Sequence, residues 1–187
     1  DVALALRQCA RPHSVAPAVL AHLAWALVVA HCTGSAQVGF GTVLSGRSAG
    51  ALRALGMFIN TLPLCVQLDE LSIVQALQQT RAALAALLEH ETAPLALAQR
   101  CSAVRAPQPL FTSLLNFRHS PSAKSGAAHF GANAQSNGPT GAQSHGTASA
   151  QSIELFGSEE RTNFPLMLAV DDHGDGFTLS CQADGVA

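Results

Sequence analysis

From Val15 to Cys32 apolar residues fall on most faces of a helical wheel, with Val15, Val19, Leu20, Leu23, Trp25, Leu27 and Val28 among them. A segment of that kind is a helix buried on several sides. Ser14 is placed to cap it, Pro17 is tolerated in its first turn, and Gly34 marks its end. Gln37–Leu44 then reads as a strand whose glycines let another backbone come close. A loop over Ser45–Gly50 leads towards a second strand at Phe58–Leu68. Ser72 and Gln75 have capping-box spacing and open a helix over Ile73–Glu91. Its apolar stripe is Ile73, Leu77, Leu84, Leu87 and Leu88, with Gln78, Arg81 and Glu89 outward. A shorter helix from Pro94 to Cys101 follows, with Thr92 as its cap.

The period then changes to two. In PLFTSLLNF, Pro109 to Phe117, one face carries Phe111, Ser113, Leu115 and Phe117, and the other Leu110, Thr112, Leu114 and Asn116. Between His119 and Ser152, Ser, Gly, Ala, Asn and Gln dominate and Phe130 is the only large apolar residue. Such a stretch buries too little to offset its ordering entropy, so 119–152 is expected to be a disordered loop. NFPLMLAVDD and GFTLSCQAD close the chain as a hairpin around the turn DDHGDG. Phe164, Leu166, Leu168 and Val170 line one face of the first strand, with Met167 and Ala169 partly covering the other. In the second strand one face is expected to be wet. The order helix, strand, strand, helix, helix, strand, strand, strand predicts an α/β layer with a mixed sheet.

Composition narrows the picture. Hydrophobic residues make up 48% of the 187 and charged residues 12%, so the surface is sparse in charge. That balance suits a piece that another piece normally covers. A net charge of −2 without a basic stripe argues against nucleic-acid binding. Cys9, Cys32, Cys65, Cys101 and Cys181 lack paired spacing and are expected to be reduced, buried thiols of a cytoplasmic protein. The eight histidines show no ligand spacing, so no metal is expected. Val15–Cys32 approaches the about 20 residues that span a bilayer, but Pro17, His22 and His31 interrupt it, so no membrane is expected. The start at Asp1 rather than methionine and the stop at DGVA are read as marks of a fragment.

No self-contained active site emerges from the residues. There is no nucleophile elbow and no phosphate-cradling loop. Asp171, Asp172, His173 and Asp175 read as turn residues, and Glu89, His90 and Glu91 as a solvated helix end. What remains is Arg47 and the polar pair Asn60 and Thr61 in the middle of LGMFINTLPL. Arg47 is either a salt-bridge former or a participant in chemistry. Asn60 and Thr61 are either a bracket for the backbone or substrate contacts.

Those same residues carry a resemblance. GTVLSGR, LGMFINTLPL, HETAPLALAQRCS, PLFTSLLNFRHS and EERTNFPLMLAVDDHGDGF resemble, in order, segments of the condensation domains of non-ribosomal peptide synthetases. The likeness is nearest to the branch joining two L-residues or to the dual-function branch. It implies a chloramphenicol-acetyltransferase-like lobe, a mixed β-sheet with packed helices, forming the second half of a two-lobe domain. In that family an acyl or peptidyl thioester on an upstream carrier passes to the amine of an aminoacyl thioester on a downstream carrier. The resemblance implies phosphopantetheine delivered by partner peptidyl carrier proteins, with no cofactor bound directly. Further implied partners are the N-terminal lobe missing from this chain and an adjacent adenylation domain. The family's His-His-x-x-x-Asp-Gly motif has no counterpart, because no two histidines are adjacent. No catalytic residue is therefore expected in this fragment, which should be inactive alone. Asn60, Arg47, Asn116 and Thr61 are the candidates for lining the inter-lobe tunnel or its junction. Two other readings stay open: a degenerate, non-catalytic lobe serving as a carrier-docking or interaction module, and a different acyltransferase of the same superfold.

Overall fold

The computed structural model describes residues 2–45, 58–105, 107–119 and 162–184. The chain opens with α1 (Val2–Ala10) and a short 3-10 turn (Arg11–His13), then α2 (Pro17–Thr33), β1 (Gln37–Leu44) and β2 (Asn60–Gln67). There follow α3 (Ile73–Leu88), α4 (Leu95–Cys101), β3 (Ser113–His119), β4 (Leu166–Asp172) and β5 (Phe177–Ala183). The five strands make one mixed sheet in the order β2-β1-β3-β4-β5. β1 is antiparallel to β2 and parallel to β3; β3 is parallel to β4, and β4 antiparallel to β5. The expected α/β class with helices packed on a mixed sheet is what the chain adopts.

Helices α2 and α3 cover one face. Leu23, Trp25, Ala26 and Val29 of α2 meet Phe40, Leu64, Val66, Leu115 and Val170 from four strands in the main core, and α3 adds Ala76 and Leu77. On the opposite face Leu114, Met167 and Ala169 form a smaller core with Phe111, flanked by Leu95, Leu110 and Phe164. Gly41 makes that second core possible. A Cβ there would lie 2.8 Å from Leu114 Cδ1 and closer still to the Phe111 ring, which is stacked on Phe164 with centroids 5.3 Å apart. Overpacking of this kind typically costs about 1–3 kcal/mol. Gly41→Ala is thus expected to lower stability by about that amount, read as a lower urea midpoint with an unchanged slope.

Several local expectations need correction. Helix α1 has no counterpart in the sequence reading, although Ala3, Leu6 and Ala10 recur at helical spacing; only Ala3 and Ala10 are buried. Ser14 is not a cap but sits at φ 53 in the turn before α2, and Ala16 takes the cap position. Gly34 does end the helix in the left-handed conformation. The Ser72–Gln75 capping box forms as expected, but α3 stops at Leu88, and Pro94 rather than Thr92 precedes α4. In α3, Ile73 and Leu88 are exposed, because the buried stripe is the narrower Ala76, Leu77 and Thr80. Strand β3 begins only at Ser113, so Phe111 is free to pack on the face of Leu114 rather than that of Leu115. Strand β5 is mostly exposed on both faces because it is an outer strand, with Leu179 65% exposed. The five cysteines are free but exposed rather than buried; Cys9 and Cys32 stand on the outer sides of their helices. The expected loop at 119–152 lies outside the described residues, apart from His119, which ends β3. Among the described residues no single helix is long and apolar enough to cross a membrane.

Candidate functional site

Asn60 opens β2, and its side chain is fully engaged. Nδ2 donates to the carbonyls of Glu91 (2.8 Å) and Ala93 (2.7 Å), while Oδ1 accepts from the Thr61 N–H at 2.9 Å. The two carbonyls fix which way the amide faces, since only a nitrogen can donate to them. The half-buried Asn60 thereby ties the first residue of β2 to the turn between α3 and α4. Glu91, expected at a solvated helix end, is 5% exposed within that turn.

The register places the other candidates. Thr61 pairs with Val43 and Pro63 with Gly41, which in turn neighbours Leu114 of β3. Thr61, Gly41, Leu114 and therefore Asn116 share the face opposite α2 and α3. Asn116 pairs with Ala169, and both Thr61 and Asn116 are half-buried. One step further along this face Arg118 makes a bidentate pair with Asp171, at 2.6 and 3.0 Å. Thr61, Asn116 and the Arg118–Asp171 pair thus form a polar row on one side of the sheet. Asn60 joins it only through the backbone, and Arg47 lies outside the described residues.

On the helix-covered side the carboxyl ends of β3 and β4 meet at Asp172, which is 2% exposed. Arg7 of α1 pairs with it through both terminal nitrogens, His119 Nδ1 lies 3.0 Å from Oδ2, and the Gly174 N–H donates at 2.9 Å. Burial alone would raise this carboxyl. The hydrogen bonds from Arg7, Gly174 and His119 outweigh it and hold the group at about 2. Asp172 is therefore not the turn residue expected from DDHGDG. It is the last residue of β4, on the face of Val170, where alternation continued through the DD pair would put it.

The depressed carboxyl sets a pH dependence. Unfolded, Asp172 takes up its proton near 3.8, whereas folded it holds off until about 2. The unfolded chain binds more protons in between, so this stabilisation is complete above about pH 4 and is lost as pH falls towards 2. Urea midpoints are expected to fall through that interval, and Asp172→Asn to flatten this part of the fall.

A second buried polar link has no counterpart in the sequence reading. His22 of α2 donates from Nδ1 to the Ala18 carbonyl (2.6 Å), leaving Nε2 to accept from the Thr42 hydroxyl of β1 (2.6 Å). Burial pushes the His22 ring down, against the opposite pull of Ala18, which keeps it neutral. The only advance signal was a histidine inside an otherwise apolar helix.

The profile of the condensation domain matches residues 1–186. The chain belongs to the condensation-domain family. Malpinin synthetase and malpibaldin synthetase of Mortierella alpina are 43% and 44% identical to it over 180 residues, 95% of this chain. A linear gramicidin synthase of Brevibacillus parabrevis is 34% identical over 168 residues, 88% of this chain. The chain spans only 2–3% of the length of these relatives. Among solved structures, the condensation domain of the monacolin K polyketide synthase MokA superposes on 95% of this condensation-domain chain, with a TM-score of 0.64 and 19% identity. The first condensation domain of the calcium-dependent antibiotic synthetase gives 0.61 at 18% identity. These likenesses show the fold. This chain covers 38% and 36% of those two structures.

Proposed function

We propose that this chain is the second lobe of a two-lobed condensation domain, in which an acyl or peptidyl thioester is joined to the amine of an aminoacyl thioester. The observation that carries the reading is a combination. The condensation profile spans residues 1–186, yet the 187 residues contain no adjacent histidines and cover little more than a third of a solved condensation domain. The general base then belongs to the preceding lobe, and this lobe supplies a wall that aligns the reactants. Thr61, Asn116 and the Arg118–Asp171 pair stand on the sheet face assigned to that wall. Asn60 sets its edge by fixing the start of β2 against Glu91 and Ala93, and Arg47 is assigned to the junction between lobes.

The substrates arrive as thioesters on the phosphopantetheine arms of an upstream and a downstream peptidyl carrier protein, with an adenylation domain loading the latter. A cytoplasmic setting suits the five free thiols. The test is a carrier-to-carrier assay on the domain comprising this chain and its preceding lobe. Amide-linked product on the downstream carrier is expected, and its absence with both carriers loaded would overturn the assignment.

A further inference from the structure

The two edges of the sheet are closed to different degrees. Its outer strands are β2 and β5. In an antiparallel pair, successive residues turn their N–H and C=O groups alternately towards the neighbour and away from it. The Leu68 N–H donates to the Ala36 carbonyl at 2.8 Å, one step beyond the Gln37–Gln67 pair. Counting back from there, Thr61, Pro63, Cys65 and Gln67 turn outward on β2. Pro63 has no N–H to offer, and the Thr61 N–H is already taken by Asn60 Oδ1 at 2.9 Å. That edge is half shut to a further strand.

The edge at β5 lacks such guards. The Asp184 N–H donates to the Pro165 carbonyl at 2.9 Å, one step beyond the Leu166–Ala183 pair. Phe177, Leu179, Cys181 and Ala183 therefore turn their backbone groups away from β4, and among the described residues no strand receives them. The strand, FTLSCQA, carries no proline and no charge, the devices that commonly protect an edge. Leu179 stands 65% exposed in its middle.

We propose that β5 is a docking edge for a second copy of this chain, the two β5 strands pairing antiparallel about a two-fold axis at Ser180. The strand is complementary to itself in that register, which engages all 7 of its residues. Leu179 of one copy lies opposite Cys181 of the other, and Phe177 opposite Ala183. These are the outward-turned residues, so their N–H and C=O groups meet in bonding phase. On the helix-covered side each large side chain thus meets a small one. On the other side Thr178 meets Gln182 and Ser180 meets Ser180, polar against polar. Asp184 falls opposite Gly176 rather than another carboxylate, so no like charges are brought together. An interface built on one strand is at the small, reversible end of the range, under about 1,200 Å². The pairing goes beyond the lobe assignment and does not depend on it.

The experiment is sedimentation velocity on the full chain, with Leu179→Lys and Ser180→Cys beside the parent. The parent is expected to pass from monomer to dimer between about 1 and 100 µM, as for a small reversible interface. Leu179→Lys alters a side chain that is already exposed, so the melting temperature should hold while dimerisation weakens at least about 10-fold. Ser180→Cys sets two thiols on the axis, in a non-bonded pair with Cα atoms about 4.5 Å apart, within disulfide range. Mild oxidation is expected to give a covalent dimer that peptide mapping shows joined at that position. A chain still monomeric at about 100 µM would overturn the proposal. So would a dimer that Leu179→Lys leaves intact and that oxidation of the Ser180→Cys variant fails to join there. Hydrogen-exchange protection of residues 177–183 that arises only when the preceding lobe is attached would assign the edge to that lobe, and would equally overturn pairing between copies.

Discussion

In a carrier-to-carrier condensation assay the isolated 187-residue chain is expected to produce no amide above the uncatalysed background. Removing a general base costs typically about 10²–10⁴ in rate, and no histidine pair of the family's motif is present in the sequence. The loss goes further than the base. Holding two thioesters at attacking distance is itself worth about 7–11 kcal/mol when both walls are in place, and one wall cannot confine either reactant. The polar row of Thr61, Asn116 and Arg118 contains no free base: the Arg118 guanidinium is spent on Asp171, and a threonine hydroxyl and an amide do not take up protons at neutral pH. Product from the isolated chain, at a rate within about 10-fold of the two-lobed parent, would refute the division of labour between lobes.

The second large effect is expected at Asn60. In Asn60→Ala the carbonyls of Glu91 and Ala93 lose their donor, and a buried acceptor left unpaired costs about 1–3 kcal/mol. The α3–α4 turn would then be free to move away from the start of β2, and Thr61, whose N–H is held by the same side chain, would move with it. A displacement of about 1 Å in a positioning element can lower turnover by as much as about 10²-fold. Made in the two-lobed parent, the variant is expected to lower both the urea midpoint and the rate of amide formation. Asn60→Asp should be no better, because a carboxylate would face two carbonyl oxygens. Unchanged turnover alongside a lowered midpoint would confine Asn60 to holding the fold. A midpoint unchanged as well would mean that the three hydrogen bonds carry no weight.

Much of this was legible in advance where one period dominated. Gln37–Leu44 matches β1 at both ends, and the Ser72–Gln75 capping box opens α3 where its spacing placed it. The hairpin of β4 and β5 follows from alternation broken by DDHGDG. What escaped was set by partners distant in sequence. The role of Asp172 depends on Arg7, 165 positions away, and that of Asn60 on carbonyls 31 and 33 residues later. Neither separation leaves a trace in local periodicity. Helix α1 was missed for a different reason: its stripe of Ala3, Leu6 and Ala10 is at helical spacing, but it runs over only 9 residues and its two buried members are alanines. Arg47, Asn60 and Thr61 stood out as polar residues in apolar or glycine-rich surroundings, the resemblance added Asn116, and the register gathers Thr61 and Asn116 on one face. No pattern within either strand could have done so, since β2 and β3 meet only through β1.

The position of β3 has a consequence for biosynthesis. Its neighbours are β1, completed about seventy residues earlier, and β4, which begins at Leu166, long after β3 has ended. Closing so long an interval is slow relative to forming the adjacent β4–β5 hairpin. While the ribosome is still translating towards Asp172, β3 can be paired on one side only, with Leu114 and Asn116 on a raw sheet edge. Chains emerging close together at that stage would hold such unfinished edges side by side, which is the circumstance that favours pairing between the wrong strands.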